Sequence, residues 1–135
     1  MALVDAVFGK GWMEFPVTGQ VAHSADAAGS LGYVVNPEDE PIIITRCVLY
    51  GLTNSTGAAN ITVGSAATIV AAHDVANIFA AAAQAASAGT AKQGLANGDP
   101  ADVLPVVASG EVIAAFGSAD TSGYTGRCHV DYIHA

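Results

Sequence analysis

The stretch Ile42-Ile43-Ile44-Thr45-Arg46-Cys47-Val48-Leu49-Tyr50-Gly51-Leu52-Thr53 constrains this chain more than any other segment. β-Branched side chains lose χ1 freedom in a helix and pack well on a pleated surface, so the run is a strand. Apolar residues occupy both parities, which predicts a central strand covered on both faces. Arg46 is the exception, and a charge inside such a strand needs a carboxylate partner or a subunit contact. The run is preceded by Asn36-Pro37-Glu38-Asp39-Glu40-Pro41, whose two prolines and three acids make a turn that ends the short strand Gly32–Val35.

Turn and strand signals alternate through the rest of the chain. Asn54–Gly57 is a turn, and Ala59–Gly64 alternates with Ile61 and Val63 on one face, a hairpin partner for the central strand. Val103–Val107 carries the edge-type Pro105, and Ser109-Gly110 turns into the apolar run Val112–Gly117. Tyr124–Ile133 sets Cys128, Val130 and Tyr132 against Arg127, His129 and Asp131, the alternation of a half-buried strand. Near the N-terminus, Trp12–Val17 is an edge strand, because Pro16 cannot donate to a ladder. Ala22–Ser30 is a loop. Residues 1–28 are expected as an N-terminal arm with this short edge strand, and 29–135 as the β-sandwich domain.

Eleven of the twenty-one residues Ala71–Ala91 are alanine, and Val75, Ile78 and Phe79 stand at i, i+3 and i+4. That spacing predicts one short helix capped by Asp74 and ended by Ser87-Ala88-Gly89, the remainder being an extended crossing segment. The whole pattern is all-β: an antiparallel β-sandwich, jelly-roll-like, with at most one short helix.

Composition narrows the function. At 135 residues there is room for one ordinary domain, and 52% hydrophobic residues exclude a disordered chain. Twelve acids against four Lys and Arg give −8, a balance that repels phosphate backbones, so no nucleic-acid partner is expected. Only 12% of residues are charged, well below the ~25% typical of soluble domains, which implies that partner subunits cover part of the surface. Val70–Ala91, the most apolar window, is interrupted by His73, Asp74, Asn77 and Gln84, so no membrane span is expected. Asp5 stands where an export signal needs positive charge, and the expectation is a soluble protein made in the cytoplasm. Cys47 and Cys128 then serve as buried free thiols.

No constellation for chemistry is complete. His129 and Asp131 share a strand face with Arg127, yet two ligands fall short of the three a zinc or iron site needs. A small cupin-like metal-dependent enzyme rests on His129, Asp131 and the remaining histidines His23, His73 and His134, and is the weakest alternative. Glu38-Asp39-Glu40 is expected as a solvated turn, and the oxygens of Asn36, Glu38 and Asp39 match no calcium-loop spacing. There is no activated nucleophile and no phosphate-binding glycine loop, so no catalytic, cofactor or metal residue is assigned and the chain is expected not to be an enzyme.

Val35-Asn36-Pro37, Ile42–Leu49, Ser55-Thr56-Gly57-Ala58-Ala59-Asn60-Ile61-Thr62-Val63-Gly64 and the closing Gly126-Arg127-Cys128-His129-Val130-Asp131-Tyr132-Ile133 occur in an order that resembles small virion proteins of tailed bacteriophages. The resemblance covers residues 32–64 and 124–134. It implies a non-enzymatic capsid decoration (cement) protein of β-sandwich or jelly-roll form on the outer surface of the head, made in the host cytoplasm. Its implied partners are the major capsid protein and copies of itself, trimers being favoured. In that setting Val4, Phe8, Trp12 and Phe15 are expected to touch the shell or a neighbouring subunit and Arg46 to lie at a subunit contact, unless Trp12 and Phe15 cap the sandwich. A head-fibre or tail-fibre module binding host glycan is the alternative.

Overall fold

Two antiparallel sheets face each other in the computed structural model, which describes residues 2–5, 10–21, 29–57, 59–73, 75, 77–82, 91–93 and 104–135. The first sheet runs β1 (Ala2–Asp5), β2 (Lys10–Thr18), β10 (Thr125–His134), β4 (Ile42–Thr53) and β7 (Ala91–Gln93), with β8 (Val106–Val107) pairing the start of β4. The second runs β3 (Ser30–Val35), β9 (Val112–Gly117), β5 (Ile61–Ala66) and β6 (Phe79–Ala82). The expected all-β sandwich is therefore the fold. Between the sheets lies one continuous core, to which β2 gives Met13, Phe15 and Val17, β4 gives Ile44, Cys47 and Leu49, and β10 gives Cys128, Val130 and Tyr132.

β4 is central, as its composition requires, but only one of its faces is buried. The apolar residues on both parities come from a bulge. Opposite the regular strand β10, Asp131 pairs with Arg46 and Tyr132 with Ile44, so Thr45 is an extra residue. Ile42 and Ile44 point inward before the bulge, and Cys47, Leu49 and Gly51 do so after it. One inserted residue moves every following side chain to the other face, so a change of parity mimics two-sided burial. The strand covered on both sides is β9, all six residues of which are buried. Ile113 and Ala115 enter the main core, while Val112, Ala114 and Phe116 form a second cluster under a short helix, α1 (Ile69–Ala72).

Three other expectations are corrected. β5 pairs with β9 and β6 rather than with β4, because β10 occupies one edge of β4 while β7 and β8 divide the other. The chain after the Asn54–Gly57 turn therefore crosses to the second sheet. The helix lies earlier than predicted. Thr68 rather than Asp74 caps its start, the Thr68 hydroxyl accepting from the Ala71 amide at 3.1 Å, and His73 stands at its end. Asp74 falls outside the described residues. Phe79–Ala82 is strand β6, with Phe79 opposite Val63, because burying Ile78 and Phe79 against the core outweighs the helix preference of the alanines. Finally, β2 is an inner strand over Lys10–Met13, where β1 covers it, and has no outer strand among the described residues beyond that. Pro16 sits in this second half, where its missing N–H costs no ladder bond on the outer side. There β2 meets β3 so closely that a side chain at Gly32 would touch the Pro16 carbonyl at 2.1 Å.

The bulge generates a test. Deleting Thr45 turns Ile42 and Ile44 outward, and two isoleucines at ~1.5–3 kcal/mol each give a loss of roughly 3–6 kcal/mol. Thr45→Ala, which removes only an exposed hydroxyl bonded to the Asp131 carbonyl, should stay within ~0.5 kcal/mol. Urea denaturation of the two variants measures the difference.

Candidate functional site

The outward face of the first sheet gathers the polar and aromatic groups that the strands exclude from the core. Ladder register sets them in rows across β2, β10 and β4: Pro16, Arg127 and Tyr50; Glu14, His129 and Val48; Trp12, Asp131 and Arg46. The bulge at Thr45 brings Arg46 opposite Asp131. One guanidinium nitrogen lies 3.7 Å from Asp131 Oδ2, while Asp131 Oδ1 shares a 2.8 Å hydrogen bond with His129 Nε2. The Trp12 ring stacks on the His129 imidazole at 5.6 Å and 21°. Trp12, His129, Asp131 and Arg46 thus form one connected line, each group oriented by the next. Asp131 supplies the carboxylate that Arg46 needed, although with 51% of the Arg46 side chain exposed the pair is a surface one.

The residues expected to make contacts divide on this frame. Trp12 and Arg46 lie on the outer face. Phe15 is 2% exposed and packs inside the sandwich, so its ring is a core group and unavailable for a partner. Val4 lies on β1 opposite Gly11, with its side chain outside the described residues, and Phe8 lies outside them altogether. Exposed Tyr50 and Leu52 join the surface, and sequence reasoning missed them because their orientation depends on the irregularities of β4. Arg127, His129 and Asp131 share a face as their spacing predicted.

At the end of the sheet where β10 finishes, the acidic turn is tied down rather than solvated. The Tyr132 hydroxyl donates to Glu38 Oε1 at 2.7 Å, and His134 Nδ1 lies 2.6 Å from Glu40 Oε1. Buried Asn36 donates to the carbonyls of Glu40, Val107 and Ala108, and its Oδ1 accepts from the Glu38 amide at 2.9 Å. These acids therefore join the C-terminal strand to the start of β4. Among the described residues no group of three or more His, Cys, Asp or Glu is arranged to hold a metal ion.

The free thiols of Cys47 and Cys128 are buried, with their sulphurs 3.6 Å apart. The hydrogen bond to Cys47 and burial push the Cys128 thiol up, away from the reactive thiolate. Burial pushes Tyr124 up to about 12, and burial together with the bond to Glu38 raises Tyr132. Cys128, Tyr124 and Tyr132 are thus each held neutral, a state suited to packing.

Among solved structures, the chain superposes on one from the capsid of Ralstonia phage GP4 with a TM-score of 0.61, over 100% of its own length and 91% of the other. The two share a fold. Their sequences are 18% identical, so the likeness is architectural. No protein-family model matches the sequence, and no curated protein matches it significantly.

Two measurements test the electrostatics. Arg46→Met should cost less than ~1 kcal/mol in a denaturant titration, as expected for an exposed ion pair. A tyrosine whose folded value lies above its unfolded one stabilises the fold fully below the unfolded value, and that contribution is lost as pH rises through the folded one. Unfolding free energy should therefore fall as pH rises from 10.0 toward about 12, less steeply in Tyr124→Phe.

Proposed function

We propose that the protein is a non-enzymatic structural component of a bacteriophage virion, a decoration (cement) protein seated on the outside of the head. The observation that carries this reading is the fold shared along the whole chain with a component of the GP4 capsid. Two features support it. The outer face of the first sheet presents Trp12, Arg46 and Tyr50, residue types that dominate protein–protein contacts, in positions set by a rigid ladder. The low charge fraction suits a chain partly covered by neighbours.

In this role the protein binds the major capsid protein and further copies of itself, as trimers. A molecule that binds only the assembled lattice stabilises it by mass action, and many modest contacts on one particle add through avidity. No reactive group is required. Trp12 contributes to the contact, its ring held by His129 so that little side-chain freedom is lost on binding.

Co-sedimentation with phage heads lacking the protein tests the reading. The wild type should bind saturably, and Trp12→Ala should weaken binding ~10-fold or more. Absence of head binding, or binding to a glycan array instead, overturns it.

A further inference from the structure

Positive charge in this chain is confined to one sheet. All four Lys and Arg residues, Lys10, Arg46, Lys92 and Arg127, lie on strands of the first sheet, which carry only three of the twelve acids, Asp5, Glu14 and Asp131. Everything else in the chain is purely acidic. Within the sheet Arg46 is neutralised by Asp131, whereas exposed Arg127 has no ion pair among the described residues. Its cross-strand neighbours are Pro16 and Tyr50, and beside them Tyr50 and Leu52 are 40% and 52% exposed. An arginine flanked by an aromatic ring and aliphatic surface has the composition of an interface centre.

A matching group lies elsewhere on the same chain. In the acidic turn Glu38 is held by Tyr132 and Glu40 by His134, while Asn36 fastens the turn to three carbonyls. Asp39 between them is exposed and has no partner among the described residues. The turn is thus preorganised with one exposed carboxylate, that of Asp39, unpaired among the described residues. It cannot reach Arg127 of its own chain. The turn is fixed to His134, seven residues along β10 from Arg127, and at ~3.4 Å per residue this separation is roughly 24 Å. An unpaired cation and an unpaired anion, each on a rigid element and too far apart to meet within one copy, are complementary between copies.

We propose that the outer face of the first sheet around Arg127, Tyr50 and Leu52 receives the acidic turn at Asp39 of a second copy, so that copies join head to tail. Such a contact is heterologous, and it closes into a ring when the rotation per copy allows. The inference deepens the proposed role and rests on it for its setting, by naming the contact through which copies associate.

Charge exchange tests it on the full chain by sedimentation velocity. The wild type should sediment as an oligomer that dissociates with added salt. Arg127→Asp and Asp39→Arg alone should each weaken association ~10-fold or more, and the double variant, which restores opposite charges, should recover most of it. Both positions are exposed, and circular dichroism checks that the variants remain folded. A monomeric wild type, single variants of unchanged mass, or a double variant no better than the singles overturns the proposal. Head binding is measured on the same proteins: a monomer that binds heads overturns the head-to-tail contact alone, whereas an oligomer without head affinity overturns only the virion role.

Discussion

The ladder between β4 and β10 is the interaction on which the rest depends. These two strands stand at the middle of the first sheet, and their inward side chains, among them Ile44, Cys47, Leu49, Cys128, Val130 and Tyr132, line one wall of the core. The extra residue Thr45 keeps that wall apolar from Ile42 to Leu49 while the parity of β4 changes. The same irregularity sets Arg46 opposite Asp131. Core continuity and the layout of the outer face therefore have one cause, because a strand cannot shift register on one face without shifting it on the other.

Both sheets carry polar groups, but they use them differently. The second sheet has an additional apolar layer, in which Ala72 and Ile69 of α1 cover Val112, Ala114 and Phe116. The first sheet has no such cover over β2, β10 and β4 among the described residues, and presents the Trp12, His129, Asp131 and Arg46 line to solvent. An exposed sheet face with ordered aromatic and charged groups suits contact with other proteins. The tied-down acidic turn has the complementary character: its charges rigidify the end of the sandwich before any partner is considered.

Much of the fold was legible in the residues. Short-range signals located β3, β4, β9 and β10, because turn residues such as Asn36-Pro37 and Ser109-Gly110 act locally and alternation in Tyr124–Ile133 needs no knowledge of the partner strand. The alanine-rich segment was misread where Phe79–Ala82 form β6, since alanine's helix preference is a few tenths of a kcal/mol per residue and burying Ile78 and Phe79 outweighs it. Most of the candidate surface was also visible: Trp12 and Arg46 stood out by residue type, and Arg127, His129 and Asp131 by their spacing. Tyr50 and Leu52 did not, because in β4 apolar residues fall on both faces.

What the amino-acid sequence determined alone is the class of structure and the character of its surface: strands and turns, an acidic and sparsely charged composition, two thiols placed within apolar runs. These follow from local backbone preferences and from composition. Only the tertiary structure decided which strands pair, that β5 belongs to the opposite sheet, that Phe15 faces the core while Trp12 faces out, and that Glu38 and Glu40 reach Tyr132 and His134. Each of these depends on register between segments distant in the chain, and one inserted residue such as Thr45 reverses which face a side chain joins.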